Sequence, residues 1–150
     1  MTKILTPASW KDLSENAKQL STADQISKGL KDEHPAVRVA AVRHPNATVD
    51  HINVGLKDKS YYVRAAAVSH PKITVDHISA GMKDKDWAVR EAAVSHPKAT
   101  AEHISAGMKD NHYIVRAAVV RHPNATAEHI STGLKDEDEY VREAAMNRNR

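Results

Sequence analysis

Apolar residues along this chain come in short bursts with helical internal spacing. In "TVDHISAGMKDKDWAVREAAV", Val75, Ile78 and Met82 recur at i, i+3, i+7 and Val89, Ala92 and Ala93 at i, i+3, i+4, with polar residues between the two groups. The spacing predicts two short helices. Thr74 is a good N-cap for the first, Asp76 sits in its positive first turn, and that helix should end near Gly81 after about two turns. Asp84 is placed to cap the second. It should stop at His96, because Pro97 cannot donate the next hydrogen bond and restricts the residue before it.

The same pattern returns with a 26-residue period, which brings His44-Pro45, His70-Pro71, His96-Pro97 and His122-Pro123 into register. Full units start at each of those prolines, and a divergent earlier unit starts at Gln19. One unit carries too few large aliphatic side chains to offset the cost of ordering its own backbone, so neighbours must stack to supply the burial. The expected fold is all-α, an α-solenoid of five two-helix repeats over residues 19–150, forming one domain with a capping helix at residues 1–18. In that cap Thr6 is the N-cap, Pro7 takes the favoured first position, and Trp10, Leu13 and Ala17 share one side. At the other end, polar residues from Asn147 to Arg150 replace the Ser-His-Pro joint, as a solvent-facing terminus requires.

Composition sharpens this picture in three ways. All five glycines, Gly29, Gly55, Gly81, Gly107 and Gly133, share the eleventh position of the unit, so there is no glycine-rich phosphate loop. The chain has no cysteine, which removes disulfides and thiolate chemistry and makes a reducing, cytoplasmic setting the expectation. No apolar run approaches the ~20 residues that span a bilayer, and "MTKILTPASWKDLS" lacks the apolar core of a secretory signal, so no membrane association is expected. The net charge of +3 comes from nearly matched basic and acidic residues and points only weakly to an anionic partner.

"GMKDKDWAVREAAVSHPKAT" resembles the leucine-rich repeat variant family, and "KDEHPAVRVAAV" is also similar to HEAT repeats. The resemblance covers residues 19–148 and implies a short helical repeat whose first helix is very short or of 3₁₀ type. It also implies a structural ladder of Asp and Arg: Asp32/Arg38, Asp58/Arg64, Asp84/Arg90, Asp110/Arg116 and Asp136/Arg142. Here His stands at the joint where the family often has Asn.

Eight of the ten histidines occupy the seventh and twenty-sixth positions of the unit. A metal between repeats would need three or four ligands converging near ~2.1 Å, whereas equivalent residues on packed helices start roughly 10 Å apart. The seventh position is expected to close a capping turn with Thr, and the twenty-sixth to cap the second helix at its carboxyl end. No metal or cofactor is expected. Five lysines, Lys31, Lys57, Lys83, Lys109 and Lys135, form a further column, and each has an aspartate beside it. Neither Ser-His-acid spacing nor His-Glu-x-x-His occurs, and no carboxylate stands apart from the repeating ones, so no catalytic residue is assigned.

The copies disagree most at positions seventeen, twenty-one and twenty-five, which an i, i+4, i+8 spacing puts on one stripe of the second helix. From repeat to repeat that stripe reads Pro35/Val39/Arg43, Tyr61/Ala65/Ser69, Trp87/Glu91/Ser95, Tyr113/Ala117/Arg121 and Glu139/Glu143/Asn147. Aromatic and arginine residues dominate protein interfaces. Arg43, Tyr61 with its neighbour Tyr62, Trp87, Glu91, Tyr113, Arg121 and Glu139 are therefore the candidate partner-binding residues of a non-enzymatic, protein-binding module. The alternative is a HEAT-like nucleic-acid binder using basic residues of the first four repeats, since residues 1–122 carry the excess positive charge. The expected state is a monomer or a weak end-to-end association.

Overall fold

The structure is a computed structural model that describes residues 23–150. The expected capping helix, with Thr6, Pro7, Trp10, Leu13 and Ala17, lies outside the described residues. Among the described residues there are ten α-helices and no strand. Contacts divide the described residues into two compact units, the second of which begins at Ile73.

The described part of the first unit holds α1 (Ala23–Gly29), α2 (Pro35–Val42), α3 (Val49–Leu56) and α4 (Tyr61–Val68). Its buried residues include Ile26, Leu30, Val37, Val42, Ile52, Val63 and Val68. The second unit holds α5 (Val75–Gly81), α6 (Trp87–Val94), α7 (Ala101–Gly107), α8 (Tyr113–Arg121), α9 (Ala127–Gly133) and α10 (Glu139–Arg148). Its core is built from Ile73, Ile78, Val89, Val94, Ile104, Val115, Val119, Val120 and Val141.

The short first helices are α-helical, not 3₁₀, because each carries a complete reciprocal cap where the start can be read. Thr48, Thr74, Thr100 and Thr126 accept the N–H of the histidine three residues on, and that histidine's ring accepts the threonine N–H in return. Gly81, Gly107 and Gly133 close α5, α7 and α9.

Three details differ from the expectation. Val75 is 45% exposed, so the buried face of α5 is Ile78 and Gly81, joined by Ile73 from the turn before it. As the first residue of its helix, Val75 slants its side chain toward the amino end and past the packed face. The cap of α6 is Asp86, which accepts the Ala88 N–H at 2.9 Å, whereas Asp84 accepts the Asp86 N–H at 2.9 Å and shapes the turn before the helix. The helix ends at Val94 with Ser95 as its C-cap, one residue short of His96.

The aspartates and arginines form a ladder whose rungs divide in two. Within a repeat the contact is to backbone: one guanidinium nitrogen of Arg38, Arg64, Arg90, Arg116 and Arg142 donates to the carbonyl of Asp32, Asp58, Asp84, Asp110 and Asp136. The carboxylate partner belongs to the following repeat. Arg38 grips Asp58, Arg90 grips Asp110 and Arg116 grips Asp136, each with Nε on Oδ2 at 2.8 Å and Nη2 on Oδ1. The planar fork of five donors explains why arginine stands at this position, since lysine could not serve both loops.

Candidate functional site

The ladder loops set where each second helix begins and hence which residues reach the surface at its start. Asp110 accepts the His112 N–H at 2.9 Å, and His112 Nδ1 accepts the Ile114 N–H at 3.3 Å, which leaves Tyr113 as the first residue of α8. Asp136 and Asp138 repeat the device, so Glu139 and Tyr140 open α10. Trp87 opens α6 in the same way.

In the second unit this arrangement assembles a row of rings. Trp87 stacks on His112 with centroids 4.5 Å apart and planes 8° from parallel, and His112 stacks on Tyr113 at 5.0 Å and 17°. Tyr113 meets Tyr140 edge to face at 5.7 Å. Arg121 ends the row, with its guanidinium 4.7 Å from the Tyr140 ring centre and Nη1 donating to the Tyr140 hydroxyl at 3.1 Å. Each ring pair contributes about 0.5–1.5 kcal/mol beyond area burial, enough to preorganise the row. Trp87, Tyr113 and Tyr140 nevertheless stay 39%, 40% and 42% exposed.

Of the residues picked out by sequence variation, the structure brings Trp87, Tyr113 and Arg121 together through His112 and Tyr140, which the stripe omitted. A signal for His112 was present, since it and His34 are the two histidines outside the repeating columns. Tyr140 lies one residue beyond the stripe and carried no such mark. Glu91 accepts the Ser95 hydroxyl at 3.2 Å, and Glu139 is exposed. In the first unit the Tyr61 and Tyr62 rings lie 4.1 Å apart and tilted by 30°, Tyr62 is 61% exposed, and Arg43 is an exposed C-cap of α2.

The histidine columns do different work. At the joint the Lys72, Lys98 and Asn124 N–H groups donate to Nδ1 of His70, His96 and His122. His70 and His122 then donate from Nε2 to the carbonyls of His44 and His96, one repeat earlier. A backbone N–H can only donate and a carbonyl can only accept, so His70 and His122 are neutral Nε2–H tautomers. His122 stands at the C-cap of α8, as a neutral ring that donates rather than as a cation. At the seventh position Nδ1 accepts from the threonine N–H, so Nε2 carries the proton toward a serine of the preceding repeat: His51 on Ser27, His103 on Ser79 and His129 on Ser105. The Ser27 and Ser79 hydroxyls donate hydrogen bonds to the carbonyls of Ala23 and Val75. This polarity is opposite to that of a serine activated by a histidine base. Among the described residues no three His, Asp or Glu side chains gather as metal ligands.

No protein-family model matches the chain, and no curated protein is similar to it. Among the described residues no helix is long and apolar enough to cross a membrane.

Proposed function

We propose that the chain is an α-solenoid of five two-helix repeats, of the leucine-rich repeat variant or HEAT-like kind, with residues 1–18 as its capping helix, and that it is a non-enzymatic protein-binding module. The unbroken 26-residue period and the repeat-to-repeat bonds support the architecture. One observation carries the function: the row Trp87–His112–Tyr113–Tyr140–Arg121 keeps its large rings about two-fifths exposed while locking them against one another. Rigid aromatic and arginine side chains lose little entropy on binding and dominate interface energetics.

A displayed peptide library free of compositional bias tests this reading. Peptides selected on the wild-type chain should lose at least about tenfold in affinity for the Trp87→Ala/Tyr113→Ala variant, with helical content unchanged. Equal affinity for the two proteins would overturn it.

A further inference from the structure

Resting on that protein-binding reading, we propose that the row in the second unit takes a basic peptide segment, whose arginine or lysine side chains lie against the rings and pair with Glu91, Glu139 and Glu143. Most carboxylates near the starts of the second helices are already committed. Asp110 and Asp136 are gripped by arginines of the preceding repeat, and Asp86 and Asp138 accept backbone N–H groups. Glu91, Glu139 and Glu143 differ. None of them makes an ion pair among the described residues, and Glu91 has only the Ser95 hydroxyl.

Their placement follows the rings. Glu91 comes one helical turn after Trp87, Glu139 precedes Tyr140 directly, and Glu143 comes one turn after Glu139. Carboxylates without an ion-pair partner, close along the helix to partly exposed rings, attract a cation twice, once by charge and once by the ring quadrupole. The chain itself supplies an example of the geometry, because Arg121 already seats its guanidinium over Tyr140. A phosphate backbone would meet the same three carboxylates as repulsion.

The test uses the full chain with Trp10→Phe, which leaves Trp87 as the sole indole. It is titrated with Gly-Arg, Gly-Gln and Gly-Glu repeat peptides of equal length and with single-stranded oligothymidylate. The Gly-Arg peptide should change Trp87 emission saturably, bind more weakly as salt is added, and lose on the order of tenfold in affinity to the Glu91→Gln/Glu139→Gln/Glu143→Gln variant. Those three side chains are at least partly exposed, so unchanged helicity is expected of that variant. Equal or tighter binding of Gly-Gln or Gly-Glu overturns the basic class while leaving the protein-binding reading in place. Binding of oligothymidylate with no peptide bound overturns both. Failure of every probe also overturns the basic class, and the library selection then decides the broader reading by itself.

Discussion

The ring of His122 makes one hydrogen bond to the joint that follows it and one to the repeat before it, and the two can be separated by substitution. Asparagine places Oδ1 where Nδ1 now accepts the Asn124 N–H, but its amide is too short to reach the His96 carbonyl 2.9 Å from Nε2. His122→Asn should therefore cost about 1–2 kcal/mol by urea denaturation, and His122→Ala about 2–4, since alanine loses both bonds and leaves a cavity. Nitrogen chemical shifts of the ring should report a protonated Nε2 and a bare Nδ1; a protonated Nδ1 would contradict the hydrogen bonding. The joint itself was legible in the sequence because proline stops a helix locally. The reach of Nε2 was not, because it depends on where the neighbouring repeat sits. The ladder shows the same division. Burial alone would raise the Asp136 pKa, but the paired donors of Arg116, helped by the Asp138 N–H, outweigh it and hold the carboxyl below its usual value, while Arg116 is raised in turn, chiefly by its hydrogen bonds to Asp136. A folded pKa below the unfolded one means that the stabilisation is complete above the ordinary carboxylate pKa of about 4 and is lost as pH falls through the lower folded value. Asp136→Asn should flatten that acid limb of the stability curve, and an unchanged slope would refute the pairing.

At the scale of the helices, Gly107 ends its short first helix where that helix lies close to two second helices. A Cβ added at Gly107 would sit 2.5 Å from Val119 Cγ2 and 2.9 Å from Val94 Cγ2, both on branched, fully buried side chains. Alanine normally gains up to about 1 kcal/mol over glycine in a helix, but overpacking at this contact costs about 1–3 kcal/mol. Gly107→Ala should therefore lower the urea midpoint; a raised midpoint would show that the valines can yield. The sequence placed this glycine at a helix end and left its packing role unseen, because close approach is a property of two elements. Val75 illustrates the converse: its spacing fits the apolar stripe, yet being first in a seven-residue helix puts it at the edge of the buried face. Helix starts were legible only to within a turn. Asp84 and Asp86 are both competent caps, and the choice fell to Asp86 because Asp84 is used to turn the chain. His112 joins the row from the cap position of α8 and Tyr140 from the second position of α10, both outside the stripe of positions seventeen, twenty-one and twenty-five.

Within each of the two units, the side-chain bonds between repeats span 20 residues for the arginine–aspartate grips, 24 for serine–histidine, 25 for Lys72, Lys98 and Asn124 to backbone carbonyls, and 26 for histidine to carbonyl. Among the described residues none of these bonds reaches beyond the adjacent repeat, so removing one whole period should regenerate every type of bond from equivalent residues. Deletion of residues 97–122 joins His96 to Pro123, brings Ser79 opposite His129 and offers Asp136 to Arg90. This variant should keep a helical spectrum and a cooperative urea transition at a lower midpoint, having lost one repeat-to-repeat interface. Deletion of residues 97–109, half a period, has the same starting point and fewer missing residues. It should fail to unfold cooperatively, because arginine, serine and histidine then face the wrong columns. Equal behaviour of the two deletions would mean that the period does not govern folding. The longer deletion also removes His112, Tyr113 and Arg121 while sparing Trp87, Glu91, Glu139 and Glu143. A folded variant that no longer binds the Gly-Arg peptide would place recognition in the ring row, whereas full binding would assign it to the glutamates alone.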